Sequence, residues 1–208
     1  MEQGLGRASE EARRVLEGLW RDLGCPGRKD FYPVSYPKKL VRAAELQGWK
    51  VDGVDGLRAS PSGAQKLGGC NVEKRLITYN SKAIGGNAGR RNFTIAHELG
   101  HALLGHPSDK CIGPDYDREK DDHDRMIYAV AALADPADAY KEREADIFAR
   151  DLLMPAKAVL REFASLCPGG AGSALEHEEI VQELARFFEV SRAAMRRRIS
   201  EVCFVTQH

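Results

Sequence analysis

The chain has 208 residues with 43% hydrophobic content, enough to bury one substantial core, and its 31 basic and 31 acidic residues cancel. That balance excludes a molecule drawn as a whole to nucleic acid, an anionic membrane or an acidic substrate, and confines any such contact to a local patch. The five cysteines are widely spaced with no CxxC pair, which argues against a disulfide framework and against a cysteine-based structural zinc site.

Charges recur every few residues through MEQGLGRASEEARRVLEGLW, with no apolar core of a signal sequence and no later apolar run of membrane-spanning length. A cytoplasmic protein with free thiols is expected, without a membrane partner. Ala12, Val15, Leu16 and Leu19 predict a helix over 8–22, stopped by Gly24, Pro26 and Gly27. Ser35 and Pro37 mark the start of a second helix carrying Leu40, Val41, Ala44 and Leu46, and a short strand follows at Trp49 to Val51. The glycines and polar NVEK segment around RLITYN predict an antiparallel strand pair ending at Asn80, with Arg75 to Asn80 as an edge strand able to hold an extended peptide. AIGGNAG lacks both the Walker lysine and the GxGxxG spacing, so it reads as a connector and not as a phosphate cradle.

From Asn92 the pattern is helical through Phe93, Ile95, Ala96, Leu99, Leu103 and Leu104. Turn formers fill 107–119, Met126 to Leu133 suggest another helix, and Pro136 breaks it. A strong helix over 139–153 closes at Met154-Pro155, and a helical hairpin occupies 176–201. The expected architecture is a single α+β domain in which a small antiparallel sheet packs with helices. Its parts are an N-terminal portion (1–60), a core with the chemistry (61–168) and the C-terminal hairpin (172–203).

His97-Glu98-Leu99-Gly100-His101 is an HExxH sequence on a helix, so two imidazoles lie one turn apart on one face and can share a metal ion, with Zn2+ the expected one. Glu98 is placed to take a proton from a water at that metal, which suits a general base. A catalytic zinc needs a third protein ligand. The HExxHxxGxxH pattern fails here, because Leu104 and Pro107 stand where its glycine and last histidine belong and His106 is out of register. The third ligand should come from the helix carrying Glu142, Glu144 and Asp146. At about 100° per residue, Ala145, Phe148, Ala149, Leu152 and Leu153 define its apolar face; Glu142 falls within that face and Glu144 off its edge. Glu142 is the preferred ligand and Glu144 the alternative. Asp146 can accept the free N–H of a ligand histidine. Cys111, in the loop after His106, is a candidate inhibitory fourth ligand that would close the site, against the plainer reading of a free thiol. Tyr128, Tyr140, His106 and His123 are candidates for stabilising an oxyanion.

FTIAHELGHALLGH together with EREADIFARDLLMP resembles the ImmA/IrrE family of metallo-endopeptidases. PVSYPKKLVRAAELQGWKV and ITYN extend the similarity over most of the chain. Asp146 departs from the family's usual asparagine, and the segment 107–138 is longer than the family leads one to expect. The resemblance implies a zincin-like fold with a minimal thermolysin-type core. It also implies proteolysis of a helix-turn-helix repressor that controls stress, DNA-damage or phage-defence genes, as in small stand-alone members of the CapP type.

The C-terminal hairpin admits two readings. Arg192, Arg196, Arg197 and Arg198 suit phosphate contacts of a DNA-binding helix-turn-helix, which would make the chain a regulator with a structural or sensory metal. Alternatively the hairpin packs on the core and its arginines face solvent, the reading preferred here. Gating of a protease by DNA bound at Arg90, Arg91 or the later arginine cluster is a third expectation.

Overall fold

A computed structural model describes residues 2–25, 33–35, 37–57, 66–106, 136–167 and 178–204. Helix α1 (Glu2–Asp22) buries Ala8, Ala12, Val15, Leu16, Leu19 and Trp20, the positions its sequence period puts on one face. Helix α2 (Lys38–Leu46) packs on it and ends at Gly48, after which the chain enters the sheet. The strands are β1 (Lys50–Val54), β2 (Gly68–Asn71) and β3 (Leu76–Asn80).

The α+β class holds, but the sheet is mixed and not purely antiparallel. The β2–β3 pair is antiparallel as expected, whereas β1 lies parallel to β3 on its other side, with Val51 opposite Ile77 and Gly53 opposite Tyr79. The expected edge strand is therefore the central one. Ile77, Tyr79 and Asn80 are buried, while β1 keeps Lys50 and Asp52 in solvent, as a charged outer strand should. Alternation within RLITYN reports which face is buried and says nothing of which strand lies between the other two, so the sequence pattern did not distinguish centre from edge.

Asn80 caps the short helix α3 (Ser81–Ile84) by accepting from Ala83 N–H at 3.0 Å, and its amide also donates to the Lys66 carbonyl. The glycine-rich segment connects α3 to the next helix and ends in a cap: the Asn87 side chain accepts from Arg90 N–H at 2.9 Å and starts helix α4 (Ala88–Leu104). Helix α5 (Pro136–Leu153) crosses α4 closely because Gly100 has no side chain; a Cβ there would stand 3.2 Å from Ala145 Cα and 3.1 Å from the Phe148 ring. Arg7 of α1 ties down the end of α4 by donating to the Leu104 carbonyl at 3.0 Å.

After Met154-Pro155 comes helix α6 (Ala156–Leu166), an element not anticipated from the sequence, followed by α7 (Glu178–Phe188) and α8 (Arg192–Phe204). The α7–α8 hairpin packs on α6, and its turn is fixed to the start of α4: the Asn92 amide, fully buried, donates to the Glu189 carbonyl at 3.0 Å. Among the described residues no helix is long and apolar enough to cross a membrane.

Candidate metal centre

Helices α4 and α5 meet at a cluster of buried ionisable side chains. His97 and His101, one turn apart on α4, point their Nε2 atoms at each other across 2.9 Å. Glu142 of α5 spans the pair, with Oε2 3.1 Å from His97 Nε2 and Oε1 3.3 Å from His101 Nε2. One ligand atom from each of the three lies within 4.8 Å of the others.

The outer sides of both rings are engaged. Asp146 Oδ1 accepts from His97 Nδ1–H at 2.9 Å. His101 Nδ1 meets His106 Nδ1 at 2.9 Å, and His106 Nε2 lies 3.1 Å from Glu144 Oε2. With one ring hydrogen held by Asp146, His97 presents an Nε2 lone pair inward toward a carboxylate and a second ring nitrogen once its other proton is given up to a metal. Such a convergence is satisfied by a proton or a cation at its centre, and two imidazoles with one carboxylate are a donor set suited to a divalent metal.

The ionisation tendencies agree. Burial disfavours a charged His97, yet hydrogen bonds to Asp146 and Glu142 outweigh it and hold the ring well above the ordinary imidazole value. Burial acts first on Glu142 as well, raising it, but hydrogen bonds from His101 and His97 win and bring its carboxyl down to about 2. His101 is lowered, first by burial, with its bond to Glu142 opposing and the charge of His97 reinforcing the drop. The cluster thus favours an ionised carboxylate beside one positive charge, the balance that a bound cation would take over.

Glu98 is 1% exposed and lies under strand β2. Gly68 passes so near that a Cβ there would sit 2.5 Å from Thr94 Cγ2 and 3.0 Å from Glu98 Oε1. The general-base candidate is therefore held between the helix that bears the histidines and the strand at one edge of the sheet.

His97, His101 and Glu142 are brought together, and Asp146 lies on the outer side of the His97 ring. Glu144 stands outside the three-ligand cluster. It is nevertheless buried, although the apolar periodicity of its helix placed it off the covered face, because His106 covers it. That contact was missed, yet HxxxGH carries a signal for it: a glycine just past a helix folds the next residue back on the last turn. Tyr140 is half-buried on α5, two residues before Glu142. Cys111, Tyr128 and His123, and the helix expected at 126–133, lie outside the described residues.

The arginines of α8 are engaged within the chain, and Arg198 is buried where all four were expected to face solvent. Arg192 and Arg196 pair with Glu178, Arg197 with Glu201, and Arg198 with Asp151 at 2.7 Å and with the Met154 carbonyl at 2.9 Å.

A small sheet beside two crossing helices, one bearing paired histidines and a glutamate and the other a converging carboxylate, defines a metallopeptidase class of protein. Comparison with family models matches residues 41–200 to peptidase family M78, the IrrE N-terminal-like domain. The chain belongs to this family, as the sequence resemblance had implied. A comparison with curated proteins found no match.

Proposed function

We propose that this metallopeptidase is a zinc-dependent endopeptidase that cuts a helix-turn-helix repressor in the cytoplasm and so releases stress, DNA-damage or phage-defence genes. The observation that carries the catalytic part is the convergence of His97, His101 and Glu142 around one point, with Glu98 on the same helix turn and facing the strand. The substrate class is supported by the family resemblance alone.

Zinc bound there would lower the pKa of a coordinated water and polarise the scissile carbonyl. Glu98 takes a proton from the attacking water and hands it to the departing amine. Asp146 keeps the His97 ring oriented, with Nε2 inward. An extended substrate would add to β2, the outer strand that runs over Glu98; β3 has partners on both sides.

The competing reading, a DNA-binding regulator with a metal that cuts nothing, is weakened from two directions. A structural metal has no use for Glu98, and the arginines that would meet phosphate are paired with Glu178, Asp151 and Glu201. DNA as an activator is retained only as an outcome to be tested.

The test is incubation of the purified chain with each small helix-turn-helix protein found encoded close to its gene. Cleavage at one site, abolished by a chelator and restored by zinc, is expected. An intact repressor under zinc-loaded conditions, with and without DNA, would remove the substrate assignment; cleavage insensitive to chelation would remove the mechanism.

A further inference from the structure

His106 and Glu144 are both buried against the metal cluster, and the reaction as derived above uses neither. Their placement follows from the end of α4. Gly105 adopts the left-handed conformation at φ 74°, and the His106 N–H returns to the His101 carbonyl at 3.0 Å. This is the Schellman turn, which sets the second residue past the helix against the one at the start of its last turn. Usually that contact is apolar. Here it joins two imidazoles, with ring centres 5.0 Å apart and planes at 69°.

The hydrogens in this chain of contacts can run in only one direction if His101 is to bind metal. An ionised Glu144 carboxylate only accepts, so the hydrogen on its 3.1 Å contact belongs to His106 Nε2. A neutral His106 then has a lone pair at Nδ1, and the hydrogen on the 2.9 Å contact between the rings belongs to His101 Nδ1. His101 Nε2 is left as a lone pair facing His97 and Glu142. The opposite order would put a hydrogen on His101 Nε2 and block it.

We propose that His106 and Glu144 form a positioning dyad that fixes the tautomer and orientation of His101 as a metal ligand. The dyad deepens the reading given under Proposed function and rests on His101 being a ligand. It makes the two outer contacts of the centre unequal. Asp146 reaches His97 directly, whereas the carboxylate serving His101 acts through an intervening ring, because the Nδ1 of His101 faces the turn at the end of α4. Both carboxylates come from α5, so one helix supplies a ligand and the orienting charge for each histidine. Outer partners of this kind are worth about 10–100-fold in metal affinity.

The decisive measurement needs no substitution: nitrogen NMR of the zinc-loaded full chain labelled at histidine. His101 is expected protonated at Nδ1, and His106 protonated at Nε2 with a free Nδ1. A hydrogen on His106 Nδ1 would overturn the proposal. Chelator competition for zinc then gives the size of the effect. His106→Phe and Glu144→Leu should each weaken binding about 10–100-fold. His106→Gln should recover most of the loss, because its amide oxygen and nitrogen flank one carbon as the two ring nitrogens do. A His106→Gln no better than His106→Phe would assign the loss to packing and overturn the dyad. His101→Ala separates the two levels. If it binds zinc like the parent, the ligand reading itself fails. If it loses zinc while His106→Phe and Glu144→Leu match the parent, the ligand reading stands and the dyad falls.

Discussion

The crossing of α4 and α5 and the hairpin of α7 and α8 are both dense in charged residues, and the two regions use them in opposite ways. Between α4 and α5, carboxylates and imidazoles are buried with their acceptor atoms turned to a common point, a concentration that a cation would complete. In the hairpin, Arg192, Arg196, Arg197 and Arg198 each meet an acid of the same chain, the first two in solvent and Arg198 buried. Four arginines within seven residues of a helix look like an interface in sequence. What separates an interface from a scaffold is whether the partners of the charges are already supplied.

The contrast predicts a graded series of effects. Glu98→Gln should keep the metal and lower cleavage by about 10²–10⁴-fold, the usual range for a general base, measured with one zinc per chain verified by elemental analysis. Undiminished cleavage by such a preparation would break the mechanism. Glu142→Ala should reduce zinc content well below one per chain, whereas Glu144→Ala should keep it near one when zinc is in excess, since Glu144 acts only through His106. Equal losses in both would undo the distinction between ligand and supporting carboxylate.

Arg198→Met tests the hairpin side. Removing one member of a buried charge pair leaves Asp151 with only Arg150 and Ser9, and stability should fall by about 3 kcal/mol in denaturant melts, with zinc affinity unchanged. The effect should depend on pH. Burial pushes the Asp151 carboxyl up, but Arg198 and Arg150 overcome this and hold it below its ordinary 3.8. A depressed acid stabilises above its unfolded value and ceases to as pH falls through the lower folded value. The parent should therefore resist acid to a lower pH than Arg198→Met. The smallest effect belongs to Arg196→Ala. Its pairing with Glu178 is half in solvent, so the loss should be below about 1 kcal/mol. A large loss of salt-dependent DNA binding in that variant would reverse the assignment of the hairpin as scaffold.

Much of the centre was legible before any tertiary structure. HExxH fixes two rings on one helical face, and the period of α5 placed Glu142 among its apolar residues, where the fold puts it. The same reasoning misjudged Glu144. Periodicity reports the face covered by the neighbouring helices; it does not foresee a histidine folded back by the turn at Gly105. The strand order was hidden for a related reason, since the alternation in Leu76 to Asn80 is the same whether one edge or both are hydrogen-bonded.

The sequence by itself determined the local geometry: a histidine pair at one-turn spacing, a general base beside the first of them, capping residues and apolar faces. These depend on helical pitch and side-chain chemistry, which act over a few residues. Only the tertiary structure decided that Glu142 spans the two rings, that β2 borders Glu98, that Glu144 and His106 meet, and that the arginines of α8 find acidic partners within the chain. Each of these joins residues from separate elements, and such contacts are set by how closely the helices and strands can approach. At Gly100, where a single added carbon would press on Ala145, that approach is what brings the second helix to the histidines.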